Sequence, residues 1–295
     1  MSTRKSLDME KFGKILIVGF DGLDYEKIKK YGCENLKQES FGKLDTEGNP
    51  LKTPLLWSSI ITGEKPEVHG ITQMLMAKGE KPLKYDRKIR KFFEMFGYNA
   101  LHLRKCLMYY LFDSSIVPPT KENMKTESVF EKVADSKAFD IPGYSDYPYI
   151  AGKMNVGPLH RKYPPAPKKR IVRDVKAEHM YRKNQIFDNI GKYTLMMQHL
   201  HYPDWMQHLY PKEEVDEELY REMDDLAGEI LEKVDDDTLV LFCSDHGLEG
   251  GGHRDQAFYS ANTELEGEIK LTNVLWKCLE KVDHNAKEKI DGLDF

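Results

Sequence analysis

Cysteine is scarce in this chain, long apolar runs are missing, and there is no surplus of basic charge. The four cysteines, Cys33, Cys106, Cys243 and Cys278, stand far apart without any C-x-x-C spacing. That pattern fits free thiols in a reducing compartment better than disulfides or a zinc knuckle. No stretch approaches the roughly 20 apolar residues of a membrane span. The opening Met1-Ser-Thr-Arg-Lys-Ser-Leu-Asp-Met-Glu lacks the apolar core of a secretory signal, so the expectation is a soluble, cytoplasmic protein with no membrane partner. Lys and Arg number 44 against 49 Asp and Glu, for a formal net charge of -5. Basic residues outnumbered and widely spread argue against general nucleic-acid binding. Nothing repeats at a solenoid period.

What is present is a chain of 295 residues, 40% hydrophobic, able to bury a substantial core as one domain, 1–295. Leu239 to Cys243 is a continuous apolar run too short for a helix, and reads as a buried parallel strand delivering Asp245 and His246 at its carboxyl end. Open α/β sheets hold their ligand sites there. The glycines 250–252 let the chain fold back and bring up His253. Lys14-Ile-Leu-Ile-Val-Gly-Phe is a second such run, ending in Asp21-Gly22, and Tyr193 to Leu200 a third. Helices are expected after Asp24, over Glu127–Ala134, over Val175–Ile190 and over Glu214–Val234, with a short strand at Phe41–Leu44.

Several residues carry two readings. Thr53, before Pro54, reads as a helix cap with proline at the first helical position; alternatively its hydroxyl, in the positive field of a helix N-terminus, is placed as a nucleophile. Asp204 and His208, four apart, share one helical face and could grip an ion, or be a capping acid and an exposed histidine. His69 reads as a structural hydrogen-bonding residue. Between Lys78 and Thr126, and most densely over 84–112, Lys and Arg alternate with aromatic residues, as an amphipathic surface layer or a face for an anionic substrate. Pro164 to Arg170 suggests a crossing between subregions, so 78–180 is a candidate inserted cap. Four places near strand ends carry an acid, a histidine or both, namely Asp21, Asp204 with His208, Asp245 with His246, and His253, and with a hydroxyl at a helix start they are explained together by two metal sites sharing one nucleophile.

The motifs Val18-Gly-Phe-Asp21-Gly22, Thr53 to Ile71, Pro203-Asp204-Trp-Met-Gln-His208, Ser244-Asp245-His246-Gly247 and His253 occur in one order along nearly the whole chain. In this they resemble the alkaline phosphatase superfamily, especially its type I phosphodiesterase/nucleotide pyrophosphatase branch and the related phosphohydrolases and phosphomutases. The resemblance implies an α/β fold, a doubly wound, mostly parallel sheet flanked by helices. It also implies two divalent ions, zinc first and manganese second. Asp204, His208 and His253 would hold one; Asp21, Asp245 and His246 would hold the other, with Thr53 coordinated to it and acting as nucleophile. The implied activity is hydrolysis of a small-molecule phosphoester, a diester by preference and a nucleotide among the candidates. A phosphomutase, a phosphomonoesterase, a sulfatase and a non-catalytic metal-binding module are the alternatives. One departure stands out: the pyrophosphatases place an asparagine shortly after the nucleophile, where this chain has Leu55, Leu56 and Trp57.

Overall fold

The structure is a computed structural model and describes residues 12–74, 76–77, 116–117, 119–145, 168–212 and 215–282. The chain opens with β1 (Lys14–Phe20), α1 (Tyr25–Lys30), β2 (Ser40–Lys43), α2 (Thr53–Thr62) and α3 (Pro66–His69). After the two-residue strands β3 (Met76–Ala77) and β4 (Ile116–Val117) come α4 (Val129–Lys132), β5 (Ser136–Phe139) and the long α5 (Lys168–Asn189). The remainder is β6 (Leu195–Leu200), α6 (Tyr202–Leu209), α7 (Asp216–Leu231), β7 (Thr238–Cys243), the hairpin β8 (Gly247–Glu249) and β9 (Gly252–Arg254), β10 (Phe258–Ala261) and α8 (Val274–Leu279). Among the described residues no helix is long and apolar enough to cross a membrane.

Among the described residues six strands form the main sheet, in the order β2-β10-β7-β1-β6-β5. β1 is parallel to both β6 and β7, β5 is parallel to β6, and β10 runs against β7 and β2. Every residue of β6 and β7 is buried, as apolar strands covered on both faces require. Successive side chains alternate between two layers. Ile15, Ile17, Leu239, Leu241 and Cys243 join one core with Leu56, Trp57 and Ile60 of α2 and Val274 and Leu275 of α8. Leu16, Val18, Phe20, Val240 and Phe242 join the other with Val175 of α5, Trp205 of α6 and Tyr220 and Met223 of α7. The buried parallel strands expected from the apolar runs, and the mostly parallel sheet flanked by helices that the resemblance implies, are the ones observed.

This alternation also aims the site. Asp21 and Asp245 continue the odd-numbered series of β1 and β7, the side covered by α2, and both are buried. The register pairing Gly19 with His199 on one side and Cys243 on the other brings the three strand ends level. Gly19 is dictated by α2, because a Cβ there would lie 2.5 Å from the Trp57 ring. Leu55, Leu56 and Trp57, where this chain departs from the pyrophosphatase pattern, are all buried.

Part of the 78–180 stretch expected to form a cap belongs to the sheet layers. β5 is the sheet's edge strand, and α5 starts at Lys168, inside the segment read as a crossing, and packs on α6 and β6. Residues 78–115, 118 and 146–167, including the whole basic and aromatic run 84–112, lie outside the described residues.

The Gly19 contact yields a stability prediction. Gly19→Ala should destabilise the protein by roughly 1–3 kcal/mol, the usual cost of overpacking a filled core, read as a lower urea midpoint at unchanged slope. An unchanged midpoint would mean that Trp57 does not fix the spacing of α2 from β1.

Candidate metal centre and active site

Thr53 is not the cap of α2. The cap is Lys52, extended at φ -128° and ψ 115°, whose carbonyl already accepts from Leu55 N at 2.9 Å and Leu56 N at 3.2 Å. Thr53 is therefore the first helical residue and Pro54 the second, and the Lys52 side chain makes no capping bond. The Thr53 hydroxyl, buried, stands instead 3.3 Å from His246 Nε2. The reading of Thr53 as a cap is corrected by this geometry.

The candidate ligands converge in two abutting groups. In the first, His246 Nε2 lies 3.4 Å from Asp21 Oδ1 and 3.3 Å from Asp245 Oδ2. In the second, Asp204 Oδ1 lies 3.2 Å from His208 Nε2 and 3.6 Å from His253 Nε2, and the two histidine nitrogens are 3.1 Å apart. The rings of His246 and His253 stack at 3.7 Å between the groups. All seven residues proposed from the sequence, Asp21, Thr53, Asp204, His208, Asp245, His246 and His253, thus border one site.

Local structure explains each placement. Gly22 adopts φ 71°, where only glycine is unstrained, and a Cβ there would meet Asp204 at 3.1 Å, so β1 can turn tightly under α6. Gln207 donates to the Gly22 carbonyl at 3.0 Å, tying that turn to the helix carrying Asp204. Gly250 and Gly251, both at positive φ, close the hairpin that sets His253 opposite Leu248. Arg254, next in the chain, binds both carboxylate oxygens of Asp24, the side-chain cap of α1, and so anchors the hairpin to the body of the protein.

The imidazole tautomers follow from the outer contacts. His246 Nδ1–H donates to the Gly247 carbonyl at 3.1 Å and His253 Nδ1–H to the Leu51 carbonyl at 3.0 Å. Each then turns an Nε2 lone pair toward the carboxylates, the arrangement of metal-ligating histidines. Burial holds both rings below their ordinary pKa, in the neutral form a ligand needs. Burial, reinforced by the charges of Asp245 and Asp204, raises Asp21 well above the usual carboxylate range. Burial likewise pushes Asp245 up to about 7. Asp204 resists its own burial because His208 beside it favours the carboxylate.

Asp21 Oδ1, Asp204 Oδ1 and Asp245 Oδ2 are buried with no hydrogen-bond partner among the described residues. Orphaned carboxylate oxygens facing imidazole lone pairs suit divalent cations with mixed oxygen and nitrogen donors. The donor atoms of Asp21, Asp245 and His246, and those of Asp204, His246 and His253, each lie within 4.8 Å of one another. The residues present therefore fit two divalent ions.

Sequence reasoning passed over His199 and His201. His199 Nε2 is 3.4 Å from Asp21 Oδ2 and His201 Nδ1 is 3.0 Å from the same atom. The signal was there: two histidines at strand period, at the end of the run that pairs with the strand carrying Asp21. His69 is structural as expected, with Nε2 3.0 Å from Ser59 Oγ and Nδ1 accepting from Ile71 N at 3.1 Å.

The profile of the type I phosphodiesterase / nucleotide pyrophosphatase family matches residues 15–276. The chain belongs to this family. No curated protein matches it in sequence. Among solved structures, the alkaline phosphatase of the Antarctic bacterium TAB5 is similar in fold, at TM-score 0.52 and 10% identity over 93% of this chain and 98% of that one. Murine ectonucleotide pyrophosphatase / phosphodiesterase 5 shows 15% identity and TM-score 0.46 over 79% of this chain, and the chain spans 57% of that protein's length. A protein from Pyrococcus horikoshii shows 13% identity and TM-score 0.47, with 97% and 100% of the two chains covered. For this family member, the alkaline-phosphatase-like fold agrees with the resemblance carried by the motifs.

The raised carboxylates set a pH dependence. Asp245 has a folded pKa of about 7 against an ordinary 3.8, so in the metal-free protein it contributes stability below about pH 4 that is lost as pH rises through 7. A bound dication must displace those protons, so its stabilising effect has the opposite slope. The rise in melting temperature when Mn2+ or Zn2+ is added to chelator-treated protein should grow from roughly pH 5 to pH 8. A rise independent of pH over that range would remove Asp21 and Asp245 from the ligand set.

Proposed function

We propose that the protein is a metal-dependent phosphoester hydrolase, by preference a phosphodiesterase, with Thr53 as its nucleophile and two divalent ions as cofactors. The observation that carries this reading is the Thr53 hydroxyl: released from capping, buried, and 3.3 Å from a histidine at the junction of two ligand groups. Family membership supports the reaction class. Asp21, Asp245, His246 and Thr53 would hold one ion, and Asp204, His208 and His253 the other. When bound, the ions would supply Lewis acidity that lowers a hydroxyl pKa and neutralises charge on phosphoryl and leaving oxygens. Zinc suits the mixed donor set best and manganese next.

The chain's own contribution is position. α2 places Oγ1 at its N-terminus, where the helix dipole favours an anionic substrate. Thr53 Oγ1 gives up its proton and forms a bond to phosphorus as the bond from phosphorus to the ester oxygen breaks; that oxygen takes up a proton and leaves as the alcohol, and water then hydrolyses the phosphothreonine diester or monoester that remains, releasing the product phosphate and restoring the hydroxyl. The His246 tautomer, fixed by the Gly247 carbonyl, keeps a lone pair rather than a proton facing Oγ1. A small phosphoester is the proposed substrate, with nucleotides favoured by the family's description. The buried free thiols of Cys33, Cys243 and Cys278 are consistent with a reducing, cytoplasmic setting.

Thr53 gives the deciding test. Because it makes no capping bond, Thr53→Ala should change stability by about 1 kcal/mol or less, while turnover of a nitrophenyl phosphodiester falls by at least about 1,000-fold at matched metal content. Thr53→Ser, which keeps the hydroxyl, should retain part of the activity and still yield a phosphorylated peptide containing residue 53. An alanine variant turning over near the wild-type rate would rule out the covalent route. Parallel assays on nitrophenyl mono- and diesters, with an acceptor alcohol added, separate diesterase from monoesterase and mutase.

A further inference from the structure

Three consecutive residues, His253, Arg254 and Asp255, reach three different partners. His253 Nδ1–H donates to the Leu51 carbonyl at 3.0 Å. Arg254 takes both oxygens of Asp24, Nη2 to Oδ1 at 2.8 Å and Nε to Oδ2. Asp255 Oδ1 accepts from the Thr46 hydroxyl at 2.9 Å, and its Oδ2 meets Lys43 Nζ at 3.3 Å. We propose that Arg254 and Asp255 are positioning residues that hold His253 in place beside Asp204 and His208, and so set how tightly that group binds its divalent ion. This rests on the reading of Asp204, His208 and His253 as a metal group, and gives two residues outside the group a share in its affinity.

The hairpin that carries His253 needs such a hold. β8 and β9 are three residues each and form a two-stranded sheet of their own, and an isolated hairpin is marginally stable at best. Its tip, Gly250 to Gly252, has no side chains to pack. Main-chain bonds join the body of the protein beyond the hairpin, from Tyr25 N to the Gln256 carbonyl at 2.8 Å and from Leu44 N to the Ala257 carbonyl at 2.9 Å. Side chains hold the stretch between. Successive side chains of an extended chain point to opposite sides, so His253 and Asp255 both meet the segment 46–51 that leads into α2 and Thr53, while Arg254 meets the segment that runs from Asp21 into α1.

Both holds are made on buried partners. Asp24 is fully buried and caps α1 through Glu26 N at 2.9 Å and Lys27 N at 3.2 Å. It receives the planar fork of Arg254 on both oxygens, a geometry that a lysine does not reproduce. Gly247, whose carbonyl fixes the His246 tautomer, lies so close to Asp24 that a Cβ there would overlap Oδ2, so the same pair sits against both strands of the hairpin. Thr46 is buried as well, and its hydroxyl turns to the exposed Asp255. The neighbouring Glu47 accepts from Thr272 Oγ1 at 2.7 Å and Thr272 N at 3.3 Å, which pins the segment from its other side. Groups that orient a metal ligand typically change metal affinity or activity by roughly 10–100-fold when removed.

Equilibrium dialysis of the full chain against Mn2+ tests this, with His208→Gln marking which bound equivalent belongs to the group. Arg254→Lys, Thr46→Val and Asp255→Ala should each weaken that equivalent by roughly 10–100-fold and leave the rest unchanged. Turnover of a nitrophenyl phosphodiester should fall with it at low Mn2+ and recover as Mn2+ is raised. Asp255→Asn, which keeps an oxygen for the Thr46 hydroxyl, should regain most of the affinity. Wild-type affinity in all three variants, or equal weakening of every equivalent, would overturn the assignment and leave Arg254 and Asp255 as stabilisers of the fold, whatever the melting temperature does. An asparagine variant no better than alanine would overturn it for Asp255. No loss of an equivalent in His208→Gln would overturn the reading of the group as a metal site, and the assignment with it. Thr46→Val and Asp255→Ala leave no buried charge unpaired, so the test does not depend on Arg254→Lys folding.

Discussion

Three carboxylates, Asp21, Asp204 and Asp245, are buried together at the carboxyl edge of one sheet, and much else in the molecule serves that burden. An ionised carboxylate taken from water without a partner is costly enough that proteins neutralise it instead. Asp204 has His208, which keeps it ionised. Among the described residues Asp21 and Asp245 face each other and neutral imidazoles, with the Gly22 N–H 3.4 Å from Asp245 Oδ1, and burial drives both toward protonation. Orphaned oxygens and outward-anchored histidines are the complement of positive charge supplied from outside the chain, which is why the site reads as a metal centre rather than a cluster of salt bridges.

The scaffold maintains this arrangement through backbone contacts more than through the ligands themselves. Carbonyls of Leu51 and Gly247 fix the tautomers of His253 and His246. The Asp24 and Arg254 pair ties the hairpin bearing His253 to the cap of α1, and α1 is in turn held to α7 by the buried pair of Lys27 and Asp216 at 2.5 Å. Removing one member of such a buried pair leaves an uncompensated charge and typically costs 3–5 kcal/mol. The reactive edge of the sheet is therefore coupled to helices that carry no ligand.

Trp57 illustrates the same economy on the other side. Its ring fills the space above Gly19 and touches His199, so one core residue sets the height of α2, the position of Thr53 at that helix's start, and the orientation of a histidine beside Asp21. The turn in which the pyrophosphatases carry an asparagine is here given to packing.

By itself the sequence determined the sheet and the ligand candidates. Leu239–Cys243 and Ile15–Phe20 are apolar throughout and Leu195–Met197 begins a third such run, a pattern stable only between two covering layers, and the acid or histidine at each end is a local feature of the same run. The D-x-x-x-H spacing and the glycines 250–252 were equally legible, because helical and turn geometry act over a few residues. Tertiary structure alone decided the rest. Whether Thr53 caps its helix depends on where the chain enters α2, which the Lys52 carbonyl settles. Whether His199 and His201 matter depends on β6 lying beside β1 in a register that sets His199 against Gly19. That pairing joins residues about 180 positions apart, and separations of that kind are fixed by packing of the whole core, not by local pattern.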